Sequence, residues 1–313
     1  MVALGLFDGM SCGQIALERA NIPVEMYYAS EIDKYAIQVT QKNYPDTIQL
    51  RDITKWQEWD IEAPDLILAG SPCQGFSFAG KQLNFKDERS KLFFVFIDIL
   101  KHYKPKYFLL ENVVMAKEHN DVISRILGEL YPDCVEQTEL FQAPRLEPIQ
   151  INSALVSAQN RQRLYWTNIQ GIEQPKDKGI LLKDIIDNNC AIKSHGKYIL
   201  KNDKSQCIDA NYWKGIDNHG QRTVVIRDAT YNNRPARIYD KKCPTLRSAN
   251  AGFEVKSDVS WRKLTPLECE RLQTAPEKYT ETEGVSNSQR YKMLGNGWTV
   301  DVIAHILSYM EIP

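Results

Sequence analysis

VALGLFDGMSCGQIALERA, residues 2–20, is the stretch whose reading decides the fold. VALGLF reads as a buried strand, DGMSCG as a turn of small residues, and QIALERA as a helix by the spacing of its apolar positions. A strand passing through a tight turn into a helix is the opening unit of a parallel α/β sheet. The pattern recurs. MYYASEI (26–32) reads as the next strand, Asp33 to Tyr44 as a helix, and Asp52 follows a third short strand. DLILAG (65–70) and YFLLENV (107–113) are further strands, with the helical SKLFFVFIDILKHY (90–103) between them. The expected architecture is a doubly wound sheet with helices on both faces. In such sheets ligands bind beyond the carboxyl ends of the strands. The runs found there, DGMSCG, EID, SPCQGF and ENV, are rich in polar, glycine or cysteine residues.

From about residue 171 strong helices thin out, and polar stretches such as KNDKSQ and YNNRP separate short β-like pieces. Helical periodicity returns at LTPLECERLQ (264–273) and closes with TVDVIAHILSYM (299–310). The expected division is a large domain from residues 1–170 and 262–313, and a smaller loop-rich one from 171–261. The length of 313 residues accommodates both. The smaller part is basic, with 16 Lys and Arg against 11 Asp and Glu in 171–260, while the rest of the chain holds 23 against 29. That asymmetry is either chance or a module that meets a polyanion.

Composition excludes several classes. At 43% hydrophobic and 25% charged the chain is ordinary for a globular protein. The best apolar run, Leu92 to Ile97, is too short to cross a bilayer. MVALGLFDG has no basic n-region and no cleavage site, so the expectation is a cytoplasmic protein without a secretory signal. Seven cysteines, none in a C-x-x-C pair, argue against a disulfide framework and against a zinc module, and no metal is expected.

Four groups of residues carry chemistry. Cys73, in Ser71-Pro72-Cys73-Gln74, stands at a strand end in a turn, where backbone N–H groups could favour a thiolate; by itself a Pro-Cys dipeptide reads as a small apolar residue filling a turn. Glu111, at the end of YFLLENV, could grip an amidine-like base edge, or be a salt-bridged surface residue. Arg161 and Arg163, in QNRQR before the strand-like LYWTNI, could aim a guanidinium into the site, or form an exposed basic turn. Then FDGMSCG offers a turn where backbone can approach a ligand, Glu31 could take ribose hydroxyls, and Asp52 an adenine amino group. G-x-G-x-x-G is absent, which makes a nicotinamide oxidoreductase a poor reading.

In order and spacing these residues resemble the DNA (cytosine-5) methyltransferases over nearly the whole chain. LFDGMSCG, SEID, RDI, GSPCQGFS, ENV, QNRQRLYW, RKLTPLECERLQ and LGNGWTVDVIAHIL are similar to that family's successive motifs. SKLFFVF, LLENVV, RLYWTNIQG and GNGWTV resemble the catalytic domains of animal de novo methyltransferases, although the cysteine-rich accessory module of those proteins has no counterpart here. A compact bacterial or phage enzyme of that branch is the expectation.

The resemblance implies a class I S-adenosylmethionine-dependent methyltransferase fold, a Rossmann-like mixed sheet, with residues 171–261 as a target-recognition domain. It implies transfer of a methyl group to C5 of a flipped cytosine in duplex DNA, leaving S-adenosylhomocysteine. Position by position, Cys73 is the implied nucleophile at C6, Glu111 the partner of N3 and the 4-amino group, and Arg163 the partner of O2, with Arg161 supporting. Phe7, Asp8, Gly9, Met10, Cys12, Glu31, Ile32, Asp52, Ile53, Gly70, Pro72, Asn296, Gly297 and Trp298 are the implied cofactor contacts; Trp298 is large for its place in the bacterial pattern. Gln74, Ser77, Lys81, Arg89, Thr245, Leu246 and Arg247 are the implied DNA contacts, the loop 75–91 being similar to the family's lid. A paired restriction endonuclease is a further implied partner. A monomer is expected, and the animal branch leaves a dimer open. Two alternatives differ in substrate or role: an RNA-directed branch, whose Cys-Phe-Thr tripeptide after ENV is not found here, and a catalytically dead accessory subunit, which has no reason to keep Cys73, Glu111 and Arg163 together.

Overall fold

The computed structural model describes residues 1–70, 88–135, 143–187, 198–199, 203–212, 224–227 and 261–311. Its main sheet has seven strands: β1 (Val2–Leu6), β2 (Met26–Ser30), β3 (Ile48–Gln49), β4 (Leu66–Ala69), β5 (Tyr107–Val113), β6 (Ile149–Asn152) and β7 (Gln162–Thr167). Their order across the sheet is β3-β2-β1-β4-β5-β7-β6. The first five pair in parallel, and β7 runs antiparallel to both β5 and β6. The expected mixed, doubly wound sheet is therefore present.

The helices flanking these strands are α1 (Cys12–Arg19), α2 (Lys34–Asn43), α3 (Glu88–Tyr103) and α4 (Lys117–Leu130). Further along the chain come α5 (Leu182–Ile185), α6 (Pro266–Leu272), α7 (Asn287–Asn296) and α8 (Val300–Leu307). A separate antiparallel sheet joins β8 (Tyr198–Ile199), β9 (Val224–Arg227) and β10 (Trp261–Lys263) in the order β10-β9-β8.

Strand alternation builds two cores. Val2, Leu4 and Leu6 of β1, Ile67 of β4, and Phe108 and Leu110 of β5 pack with Phe93, Phe96 and Leu100 of α3 and with Ile123 and Leu127 of α4. Ala3, Leu68 and Leu109 face the other way, toward Ile15 of α1 and Val302, Ile303 and Ile306 of α8. Every residue of β1 is buried, as a central strand covered on both faces requires.

Local chemistry fixes the helix starts. Asp33 caps α2 by accepting from the Tyr35 N–H at 3.0 Å. Thr265 and Glu268 form a reciprocal capping box on α6, with Pro266 in its first turn.

Residues 203–212 lie against the main body. Ser205 and Ala158 are joined by a backbone hydrogen bond of 2.8 Å, Asn160 donates to the Ser205 carbonyl at 2.9 Å, and Lys204 donates to the carbonyls of Ala154 and Ser157. Tyr212 is core: it is buried, and its hydroxyl accepts from the Leu264 N–H at 2.9 Å.

Candidate functional site

A cavity of about 560 Å³ opens where β1, β2, β4 and β5 end, a size ordinary for a small-molecule site. The turn after β1 forms one wall. Phe7, Gly9 and Ser11 all adopt left-handed backbone values, φ 55, 59 and 59°, which fold the turn tightly, with the Ser11 N–H donating back to the Asp8 carbonyl at 3.0 Å. The Gly9 N–H donates to Glu31 Oε2 at 2.8 Å, while Glu31 Oε1 accepts from the N–H groups of Ile32 and Asp33, each at 2.7 Å. The Glu31 carboxylate is thereby locked at the end of β2 before any ligand arrives. Ile32 beside it is 76% exposed, a large apolar side chain left uncovered at the cavity wall.

Asp8 lies beneath this turn. The Tyr27 hydroxyl donates to its Oδ1 at 2.6 Å, and the Ser11 hydroxyl to its Oδ2. Burial pushes the Asp8 carboxyl up to about 7, against the pull of those two hydrogen bonds, and the nearby Glu31 charge adds to the rise. Cys12 also lines the cavity, and burial pushes its thiol up to about 12. Cys12 is consequently a neutral thiol at physiological pH, not a nucleophile.

Asp52 and Ile53 line the cavity beyond β3. Asp52 accepts from the Thr54 N–H at 2.9 Å and its hydroxyl at 2.8 Å, bonds that hold its carboxyl below the usual range. Asn296, Gly297 and Trp298 close the opposite wall. The Trp298 indole covers Gly70 at the end of β4: a Cβ on Gly70 would stand 2.9 Å from Nε1 and 3.2 Å from Cζ2. The glycine is what admits so large a residue.

Glu111 and Arg163 stand on the neighbouring strands β5 and β7 and face the same cavity. Arg163 Nε lies 2.9 Å from Glu111 Oε1, with only 14% and 11% of the two side chains exposed. Burial works most strongly against the Arg163 charge, but Glu111, Cys207 and Tyr165 together hold the guanidinium above its ordinary pKa. Arg161 also reaches the cavity lining, yet its guanidinium is turned to the carbonyls of Ile208, Gly295 and Gly297.

Of the residues singled out in the sequence, the cavity gathers Phe7, Asp8, Gly9, Cys12, Glu31, Ile32, Asp52, Ile53, Gly70, Glu111, Arg161, Arg163, Asn296, Gly297 and Trp298. Met10 is elsewhere: its side chain is buried in the core, and its carbonyl accepts from the Tyr279 hydroxyl at 2.8 Å. Pro72, Cys73, Gln74, Ser77, Lys81, Thr245, Leu246 and Arg247 lie outside the described residues, as does the side chain of Arg89.

The structure adds residues that the sequence reading passed over. Lys292 of α7 and Asp33 line the cavity and form an ion pair of 2.7 Å. Cys207 places Sγ 3.1 Å from Arg161 Nη1 and 3.9 Å from Arg163 Nη2. No motif marks either; only the approach of distant segments brings them in. Among the described residues no cluster of His, Cys, Asp and Glu could hold a metal ion, and no helix is long and apolar enough to cross a membrane.

Comparison with known proteins gives a consistent result. A family model described as C-5 cytosine-specific DNA methylase matches residues 1–311. The type II methyltransferase M1.ScrFI of Lactococcus lactis subsp. cremoris is 31% identical over 334 residues, covering 98% of this chain and 77% of the relative. The type II methyltransferase M.HhaI of Haemophilus parahaemolyticus is 29% identical over 323 residues, covering 97% and 92%. Among solved structures, a Spodoptera frugiperda DNMT2 mutant superposes with a TM-score of 0.66 at 21% identity, covering 98% of each chain. The Entamoeba histolytica methyltransferase EhMeth gives 0.68 at 19%, covering 99% of this chain and 97% of that one. At those identities the likeness is one of fold.

Proposed function

Since the chain belongs to the C-5 cytosine-specific DNA methylase family, we propose that it transfers a methyl group from S-adenosylmethionine to C5 of a cytosine flipped out of duplex DNA, through a covalent bond between Cys73 and C6. The observation that carries this reading is that Glu111 and Arg163, a buried pair, open onto the same cavity as the fixed carboxylates of Glu31 and Asp52. One end suits a base and the other an adenosine.

The cavity fits the cofactor in size and in donor set. Glu31 would hold the ribose hydroxyls, Asp52 the adenine amino group, and Ile32 one face of the adenine; Trp298 and the turn 7–12 would enclose the methionine part. Bound there, S-adenosylmethionine supplies an electrophilic sulfonium methyl group, and S-adenosylhomocysteine is the product left behind.

The remaining chemistry belongs to side chains. Cytosine presents N3 and its 4-amino group side by side, and a protonated Glu111 donates to the first while accepting from the second. That draws electrons from C6 and invites the Cys73 thiolate. Arg163 would hold O2 and the negative charge that develops as the thiolate adds. After methyl transfer, loss of the C5 proton and departure of the Cys73 sulfur restore the aromatic ring. Glu111 and Arg163 are bonded to each other in this structure, so an arriving base exchanges their mutual contact for its own edge.

A base inside a duplex is out of reach of such a pocket and has to be flipped. In the same reading residues 1–170 and 262–313 form the catalytic domain and 171–261 the target-recognition domain. Gln74, Ser77, Lys81, Arg89, Thr245, Leu246 and Arg247 meet DNA. A paired restriction endonuclease, a monomeric state and a cytoplasmic location belong to it as well.

The test is incubation of the full chain with labelled S-adenosylmethionine and duplexes carrying 5-fluorocytosine, whose fluorine cannot leave as a proton does. A stable adduct at one sequence, lost in Cys73→Ala, is the expected result. Adducts on RNA alone would replace DNA as the substrate. No adduct on either would leave the accessory-subunit reading.

A further inference from the structure

Arg161 and Arg163 are two residues apart at the start of β7 and spend their guanidinium groups on different partners. Arg163 meets the carboxylate of Glu111. Arg161, only 3% exposed, donates through Nη2 to the carbonyls of Gly297 at 2.9 Å and Gly295 at 3.2 Å, and through Nη1 to the Ile208 carbonyl at 3.2 Å and to Cys207 Sγ at 3.1 Å.

The carbonyls it takes are those that most need a donor. A helix leaves its last carbonyls without intrahelical partners, and Gly295 belongs to the last turn of α7. A cationic donor at a helix C-terminus also meets the negative end of the helix dipole. Gly297 then leaves the helix with extended backbone, φ −66° and ψ 166°. Gln273 assists by donating to the carbonyls of Leu294 at 2.6 Å and Gly297 at 3.1 Å. From the other side the helix end rests directly on the chain: a Cβ at Gly295 would stand 2.1 Å from the Asp209 carbonyl carbon. The turn 295–297 is thus held by one guanidinium, one amide and one backbone contact. Asn296 and Trp298, which wall the cavity, hang from it.

We propose that Arg161 is a positioning residue for the cofactor wall, fixing Asn296 and Trp298 through the carbonyls of Gly295 and Gly297, and is not a contact of the target base. The inference rests on the reading of this cavity as the S-adenosylmethionine site. It divides labour between the two arginines: Arg163 serves the base, and Arg161 serves the cofactor. The same guanidinium ties residues 207–208 to that wall, so the chain entering the segment 213–260 is anchored to the cofactor side of the site.

The experiment compares wild type, Arg161→Gln, Arg161→Lys and Arg163→Lys by S-adenosylhomocysteine titration and by steady-state methylation with saturating DNA. Loss of a buried positioning contact of this kind should weaken S-adenosylhomocysteine binding and raise the cofactor KM by about 10-fold or more in Arg161→Gln, with kcat at saturating cofactor within about 3-fold. Arg161→Lys, which keeps a charged donor, should lie between it and wild type. Arg163→Lys should reverse the pattern, losing kcat and keeping cofactor affinity. A fall in kcat with unchanged S-adenosylhomocysteine affinity in Arg161→Gln would overturn the proposal and return Arg161 to the reacting base. If wild type itself bound no S-adenosylhomocysteine, the cofactor reading of the cavity would fall instead. Should both Arg161 variants melt below the assay temperature, hydrogen exchange in the wild type decides: amides of 293–298 should slow on S-adenosylhomocysteine binding, and unchanged exchange there would refute the proposal.

Discussion

Arg163 Nε meets Glu111 Oε1 at 2.9 Å, a contact made between two strands of opposite direction. β5 and β7 are in antiparallel register, with Glu111 opposite Tyr165 and Val113 opposite Arg163. The two charged residues are therefore diagonal neighbours on one face of the sheet. Replacing Glu111 with Gln should keep the shape and remove the acid. Turnover should fall by about 100-fold or more, as for loss of a general acid or a charge-stabilising donor. S-adenosylhomocysteine affinity should stay within about 2-fold, since the proposed cofactor contacts do not include Glu111. Steady-state kinetics with calorimetry checks both; full turnover in Glu111→Gln would remove Glu111 from the mechanism.

Asp8 predicts a pH-dependent stability. Burial lifts its carboxyl from the ordinary 3.8 to about 7, so the folded chain keeps a proton that the unfolded chain gives up. The stabilisation from that proton is complete below about pH 4 and is lost as pH climbs through about 7. Asp8→Asn, which cannot ionise, should therefore melt progressively higher relative to wild type between pH 5 and pH 8. Thermal melts across that range test it, and a constant difference would mean that the Asp8 carboxyl is not perturbed.

Gly70 and Trp298 should behave as one unit. Gly70→Ala places a methyl group into the indole and should weaken S-adenosylhomocysteine binding by about 10-fold, while a smaller residue at 298 relieves the clash. The pair Gly70→Ala with Trp298→Leu should bind better than additivity of the single changes allows. Strict additivity in a double-mutant titration would argue that the two side chains do not press on each other.

Asp52 has two employments, the cap of the turn at Thr54 and the proposed grip on adenine. Asp52→Ala should lose about 1 kcal/mol of stability from the cap. It should also lose about 10-fold in cofactor affinity from the missing acceptor. Asp52→Asn should keep most of the first and separate the two by calorimetry and melting. Unchanged affinity in both variants would move the adenine elsewhere.

Much of this was legible from the chain. VALGLF, MYYASEI, DLILAG and YFLLENV announce four strands because each is a short apolar run ending in turn or polar residues, and they appear as β1, β2, β4 and β5. The gathering of residues 7–9, 31–32, 52–53 and 70 around one cavity was legible for the same reason, since a doubly wound sheet brings successive strand ends together. Helix α4 was not seen. Its buried face includes Ser124 and Gly128 beside Ile123 and Leu127, so the apolar period is diluted by small residues that let Pro144 and Trp166 approach. The different fates of Arg161 and Arg163 were equally hidden. Both have the same strand parity, and what separates them is whether the nearest acceptor is a carboxylate on β5 or the carbonyls of residues more than 130 positions away.

The register of β5 and β7 has a meaning for assembly as well. A slip of one residue in an antiparallel pair turns every side chain of the moving strand to the opposite face. In that misaligned sheet Arg163 would turn to the opposite, apolar face beside Leu110 and Leu164, and Glu111 would keep its place without its partner; a lone buried charge is far costlier than a paired one. Glu111 and Arg163 thus act, while the chain is still closing its sheet, as a lock that fits in one alignment only.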